Sequence, residues 1–350
     1  MGLAVVHESD GYRLGGDGPI TETGNRFLGH LGSRGFSPAT VRGYAFDLLN
    51  FSRFLDEHRL ELASVVASDV FAWLDWQAKR PARGSAKVVR LADRRGPAPA
   101  TVNRRVAAVR GLFEYAVICG VRADNPVPAG RHSSGMRAPR GGMLAHTDGG
   151  RQRRGGRLVR QPRRLPESVE PGEVALFLSD LETHRDRAVV LLMVLGGLRA
   201  AEVRSVRLAD MDVGRRQLRV VGKGGRERVV PVDGAFFTEV VAYLRAERPP
   251  GCRTPECFVV LRGPTRGAPM TEAGMRKIFR THRERSGATR VRPHRLRHTY
   301  GTELASAGMD LLVLRQLMGH ASPETTAAYV HLSPETLAAE YAKARTGAAR

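Results

Sequence analysis

The sequence predicts a mainly α-helical protein of two domains, the second of them α+β with one small sheet. Three observations carry this reading. The chain has 350 residues, against roughly 100–200 residues per domain. Apolar residues recur at steps of three and four in segment after segment, which is the helical period. One pair of β-rich runs, 217–221 and 227–232, is separated by Gly222-Lys223-Gly224-Gly225-Arg226 and reads as a hairpin with a glycine-rich turn.

The elements follow in order. Residues 1–19 are glycine-rich and without period, and are expected to be a flexible tail. A helical domain spans 20–130. In it, Val41, Tyr44, Leu48, Phe51 and Leu55 mark an amphipathic helix over 37–55, with Ser37 as N-cap and Pro38 in the first turn. A second helix over 68–79 carries Val70, Trp73, Leu74 and Gln77. A third, over 100–117, buries Val102, Val106, Val109, Phe113 and Ala116, and its other face presents Arg104, Arg105 and Arg110. Asn125-Pro126 ends the segment.

Residues 131–165 change character. Ten arginines, among them Arg151, Arg153, Arg154, Arg157 and Arg160, stand with the single acidic residue Asp148 amid many glycines, and no apolar period exists. This reads as a linker. One-signed charge repels itself, so contact with a nucleic-acid backbone accounts for it better than a plain spacer does. The second domain, 166–350, is expected to carry helices over 173–181, 185–195 and 200–206, then the hairpin. Further helices follow over 233–247, 271–285, 293–307, 311–318 and 323–330, and the last, 334–345, forms a C-terminal tail.

Composition narrows the function. Lys and Arg number 56 against 35 Asp and Glu, a net charge of +21, and 42% of residues are hydrophobic. That fraction excludes a disordered basic protein, and the charge points to a polyanionic partner. Three cysteines in 350 residues make no disulfide framework, which favours a reducing compartment. No run approaches the ~18 apolar residues of a membrane span, and the N-terminus has no basic region of a secretory signal. A cytoplasmic protein with no membrane association is expected.

Zinc and ATP chemistry have little support. His294 and His298 lie four apart with Cys252 and Cys257 upstream, but arginines flank the histidines and would repel a cation. No phosphate-binding loop of the Gly-x-x-x-x-Gly-Lys-Ser/Thr type is present. What remains is a set of polar residues at helix starts and turns. Arg199 follows a buried helix and a Gly-Gly turn, where it needs an anion or a carboxylate, and Glu202 stands one turn later to orient it. Lys223 tips the hairpin, His294 and Arg297 are neighbours on one helix, His320 ends a Leu-Met-Gly-His turn, and Tyr329 follows. Each alone also reads as a surface ion pair, a turn lysine or a packing tyrosine.

In this order they resemble the tyrosine recombinase (phage integrase) family. The matching pieces are Gly197-Leu198-Arg199-Ala200-Ala201-Glu202, Gly222-Lys223-Gly224-Gly225-Arg226, Pro293-His294-Arg295-Leu296-Arg297-His298-Thr299, Leu317-Met318-Gly319-His320, and Thr325 to Tyr329. The resemblance covers the second domain and, more weakly, the first, whose helices look like the family's DNA-clamping domain. The linker is longer and more arginine-rich than the family's.

The resemblance implies a site-specific DNA recombinase. Tyr329 would attack a phosphodiester and form a 3′-phosphotyrosine, with Arg199 and Arg297 on the non-bridging oxygens. Lys223 would protonate the leaving 5′-oxygen, His294 would exchange the tyrosine's proton, and His320 would donate to the phosphate. No metal and no cofactor is implied. The partner would be double-stranded DNA, bound by a monomer that assembles as a homotetramer on paired sites, with room for an accessory DNA-bending factor. The alternatives are DNA relaxation in the manner of a type IB topoisomerase, or a non-catalytic DNA-binding protein of the same fold.

Overall fold

The structure is a computed structural model and describes residues 2–9, 11–79, 96–128, 158–160, 168–222, 224–320 and 326. The chain divides into two compact units, Met1–Arg163 and Arg164–Arg350.

The first unit opens with an antiparallel hairpin, β1 (Ala4–Glu8) and β2 (Gly11–Gly15), in the register Val6 opposite Arg13. The expectation of a flexible tail over 1–19 is therefore corrected. Leu14 is buried against the helices, and Asn25 clamps its backbone: Leu14 N donates to Asn25 Oδ1 (2.7 Å) and Asn25 Nδ2 donates to Leu14 O (2.9 Å). Two five-residue strands are too short to stand out by alternation, and the glycines that suggested a tail supply the turn, where Gly11 has φ +134°.

Four helices follow: α1 (Thr21–Ser33), α2 (Pro38–Glu57), α3 (Ala67–Lys79) and α4 (Pro99–Ile118). Helix α2 starts as its sequence dictates, with Ser37 Oγ accepting from Thr40 N (3.2 Å) and proline in the first turn. The core centres on Phe51, whose ring meets Trp73 (5.0 Å, 68°) and Phe113 (5.9 Å, 76°) edge-on. Of the expected linker, 158–160 lies on α4: Asn103 Nδ2 donates to Val159 O (2.8 Å) and Val159 N to Asn103 Oδ1 (3.1 Å). The rest of 131–165 lies outside the described residues, and the helices expected over 323–330 and 334–345 are likewise outside them, Thr326 apart.

The second unit holds α5 (Pro171–Asp180), α6 (His184–Val194) and α7 (Ala200–Ser205), then a three-stranded antiparallel sheet. Its strands are β3 (Met211–Asp212), β4 (Gln217–Val221) and β5 (Glu227–Pro231), in that order. Helices α8 (Gly234–Ala246), α9 (Glu272–Ser286), α10 (Pro293–Ser306) and α11 (Leu311–Met318) complete it. Helix α6 forms the centre of this core. Ala188, Val189, Val190, Leu192 and Met193 are fully buried, and α6 packs on α8 and α10. Along β4 and β5, Leu218, Val220 and Val230 point inward at period two. The end of α6, the start of α7, the β4–β5 turn, α10 and the end of α11 carry the residues singled out in the sequence.

Leu14→Ala is expected to destabilise the first unit by about 2–5 kcal/mol, the usual cost of emptying a buried leucine site. Both tryptophans, Trp73 and Trp76, belong to α3, so urea unfolding followed by tryptophan fluorescence reads this unit alone. A free tail at this position would leave the transition unmoved.

Candidate active site

The chain leaves α6 through Gly196-Gly197-Leu198 and enters α7 at Arg199, its N-cap. Gly197 is at φ +63°, and a Cβ there would overlap the Tyr300 ring, so the turn needs glycine twice over. Two residues on, the Arg199 backbone amide donates to Glu202 Oε2 (2.9 Å) and its Nη1 to Glu202 Oε1 (2.8 Å). Arg199 Nη2 reaches across to Gly319 O (3.1 Å) at the end of α11. The expected orienting role of Glu202 has its geometry here.

Glu202 holds more than Arg199. From β5, Arg228 meets the same carboxylate with both arms of its guanidinium, Nη1 to Oε1 (3.1 Å) and Nη2 to Oε2 (2.9 Å). From α10, Arg297 Nη1 lies 3.8 Å from Oε2. Arg297 also donates to Gly197 O (2.5 Å) and to Met318 O. Glu202, Arg228 and Arg297 are all buried, whereas the Arg199 side chain is 33% exposed. Burial raises the Glu202 carboxyl, but bonds from Arg228 and Arg199 and their charges outweigh it and hold the group below the usual carboxylate range.

His320 follows the α11 C-cap Gly319, itself at φ +59°. Its Nδ1 lies 3.0 Å from Thr326 Oγ1. Burial pushes its pKa down to about 4, and the charges of Arg297, Arg199, His298 and Arg228 push the same way. His320 is therefore neutral at pH 7. In the tautomer whose Nδ1 accepts from the Thr326 hydroxyl, Nε2 carries the proton and is the donor. His294 is exposed in the first turn of α10, next to the half-buried His298 (ring centroids 6.3 Å). Burial, followed by His294 and Arg297, lowers the His298 pKa.

The structure thus brings Arg199, Glu202, Arg297 and His320 together and puts His294 on the helix that carries Arg297. A cleft lined by Arg199, Gly222, Arg228, Arg315 and His320 opens at this cluster. Lys223 and Tyr329 lie outside the described residues, although the turn that bears Lys223 is closed on both sides by Gly222 N donating to Arg226 O (2.7 Å). Tyr300 is a packing residue: it is buried, and that burial raises its pKa despite Arg228 and Arg297. Arg228 was not among the expected residues. Its signal was its register, an arginine at an inward position two residues from buried Val230.

The candidate DNA contacts of the first unit have partners inside it. Arg104 pairs with buried Asp47, Arg105 Nη1 donates to Gln77 Oε1 (2.8 Å), and Arg110 Nη2 to Pro128 O (3.0 Å). Arg160 is exposed; Arg151, Arg153, Arg154 and Arg157 lie outside the described residues. Cys257 is buried and Cys252 Sγ donates to Gly267 O (3.0 Å). Among the described residues, no group of three His, Cys, Asp or Glu side chains is placed to hold a metal ion, and no helix is long and apolar enough to cross a membrane.

Comparison with known proteins agrees in both units. Residues 168–336 match the phage integrase family, and residues 25–119 match the phage integrase N-terminal SAM-like domain. The chain is 31% identical to the tyrosine recombinase XerC of Chromohalobacter salexigens over 93% of this chain and 96% of that one. It is 32% identical to XerC of Rhodospirillum centenum over 94% and 87%. Among solved structures, the XerH recombinase bound to palindromic difH substrate aligns with a TM-score of 0.61 at 19% identity, over 91% and 83% of the two chains. The Tn1549 transposon integrase in complex with circular intermediate DNA aligns at 0.63 and 16%, over 92% and 98%.

The low pKa of His320 sets a pH dependence. A histidine at about 4 in the fold and 6.5 when unfolded contributes stability above pH 6.5 that is lost as pH falls towards 4. Between those values wild type is expected to lose up to about 3 kcal/mol more stability than His320→Asn. Unfolding followed by far-UV circular dichroism over this range measures it, and parallel acid limbs would count against a buried neutral His320.

Proposed function

The chain belongs to the phage integrase family and is a tyrosine recombinase, and we propose that it cleaves and rejoins duplex DNA at a specific site with Tyr329 as nucleophile. The Tyr329 oxygen bonds to the scissile phosphorus as the bond from phosphorus to the 5′-oxygen breaks. A 3′-phosphotyrosine and a 5′-hydroxyl result. The phenolic proton passes to His294, and Lys223 protonates the leaving 5′-oxygen. Attack by a 5′-hydroxyl of a second strand reverses the step and releases the tyrosine. The ester retains the energy of the broken linkage, so the cycle consumes no nucleotide.

Arg199 and Arg297 bind the non-bridging oxygens, and the neutral His320 donates to the same phosphate. The observation that carries this reading is that Arg199 and Arg297 meet at Glu202 and that His320 lines one cleft with Arg199. Fixed guanidiniums aimed at one place suit the charge that builds on a phosphorane-like transition state. The 31% identity to XerC over nearly the whole chain supports the recombinase reading over DNA relaxation.

Duplex DNA is the partner. The charge of +21 supports this, as does the DNA-bound state of the XerH and Tn1549 integrase structures. The linker arginines Arg151, Arg153, Arg154, Arg157 and Arg160 are assigned to its backbone, where they position without specifying sequence. Strand exchange requires four cleavages, so four protomers gather on two sites, whereas self-repulsion keeps the free protein monomeric. The segment 334–345 is the docking element between protomers, and an accessory DNA-bending factor fits the same scheme. The three cysteines are free, as suits a cytoplasmic setting.

A suicide duplex, nicked so that the cleaved fragment is lost, tests the reaction. Wild type is expected to become covalently attached to DNA, and Tyr329→Phe to lose attachment while keeping its DNA affinity. An adduct formed by the phenylalanine variant would overturn the assignment. With intact paired sites, strand exchange is expected; relaxation of supercoils without exchange would turn the reading to a topoisomerase.

A further inference from the structure

We propose that Arg228 is a positioning residue for DNA cleavage, one that fixes the hairpin bearing Lys223 and the guanidinium of Arg199 in a single register. The proposal rests on the recombinase reading above and adds a residue to it.

Arg228 ties three elements together. It belongs to β5, it grips Glu202 of α7 with both Nη atoms, and its Nε donates to Leu317 O at the end of α11 (2.7 Å). Its side chain is only 7% exposed. Its nitrogens are directed at partners within the protein, the Glu202 carboxylate and Leu317 O. A buried guanidinium needs good partners to offset lost hydration, and here each of its three nitrogens has one. A lysine in its place has a single nitrogen and cannot bond two carboxylate oxygens and a carbonyl in this planar arrangement.

The two glycines that flank the cluster fit this role. A Cβ on Gly319 would lie 2.8 Å from Arg228 Nη1, and Gly319 O is the acceptor for Arg199 Nη2. Gly319 is thus held between the two arginines, one residue before His320. On the hairpin, a Cβ on Gly222 would come within 3.4 Å of Arg228 Nη1 and 3.6 Å of Glu202 Oε1. The backbone that leads into Lys223 is laid against the Arg228–Glu202 pair. Moving Arg228 therefore moves the base of the turn, and it also frees the carboxylate that aims Arg199. Reacting groups misplaced by an ångström lose rate far more than binding.

The test uses the full chain and the suicide duplex, with sulfur in place of either non-bridging oxygen of the scissile phosphate. Each diastereomer probes one of those oxygens. Arg228→Met is expected to slow single-turnover cleavage about 100-fold while DNA affinity stays near wild type. Because Arg199 is displaced more than Arg297, which keeps its own bonds to Gly197 and Met318, the ratio of rates for the two diastereomers is expected to shift. A generally weakened fold lowers both rates alike and leaves the ratio unchanged. Arg228→Lys preserves charge and stem if the methionine variant unfolds, and is expected to show the same shifted ratio with a smaller loss. The double variant Glu202→Gln with Arg228→Met is expected to lose less than the product of the two single losses, since the two residues share one contact. A wild-type protein that forms no adduct overturns the recombinase reading and this assignment with it. A wild type that cleaves, beside folded Arg228 variants with the wild-type ratio, overturns the assignment alone.

Discussion

A single buried carboxylate organises this site. Glu202 accepts from Arg199 and Arg228 and lies within 4 Å of Arg297, three arginines brought from three different elements. Without it, three guanidiniums at this distance would repel one another in a poorly hydrated place. With it, they share one anion and are left with a surplus of positive charge. Removing one partner from such a buried set typically costs about 3–5 kcal/mol, because the remaining charge stays behind uncompensated. The depressed pKa of His320 reports the same surplus, added to the effect of burial. The proposed reading sets that surplus against the scissile phosphate.

The second unit is built to present that cluster. From Ala188 to Val194 helix α6 is apolar around its whole circumference and sits in the core, so its C-terminal end is rigidly placed. Gly197 then turns the chain tightly under Tyr300, and Arg199 begins the next helix with its amide already bonded to Glu202. Arg297 reaches back to the carbonyls of Gly197 and Met318, which joins the start of α7 to the end of α11. Backbone carbonyls and one carboxylate thus set the arginines before any substrate arrives. Such preorganisation is the usual source of electrostatic catalysis.

Much of this was legible in the sequence. The cap at Ser37-Pro38, the amphipathic period of α2 and α4, and the hairpin around the Gly-rich turn all rest on local rules. The N-terminal hairpin was not legible, because it is fixed by the contact of Leu14 with Asn25 and not by its own pattern. Strand β3 has two residues and no period to read. Helix α1 has its apolar positions, Phe27, Leu28 and Leu31, bunched at one end. Within the site, Glu202 was visible as a neighbour of Arg199 along one helix. Arg228 was not, since its partner lies 26 residues away and only the folded sheet brings them together.

The central claim is that Glu202 acts on the reaction through the arginines that it holds. Single-turnover cleavage by Glu202→Gln tests it most directly, comparing an ordinary scissile phosphate with an uncharged methylphosphonate at the same position. A neutral linkage makes less demand on guanidiniums, so the variant is expected to lose about 100-fold on the phosphate and far less on the methylphosphonate. Equal losses on both linkages, in a variant that remains folded and binds DNA, would contradict the account.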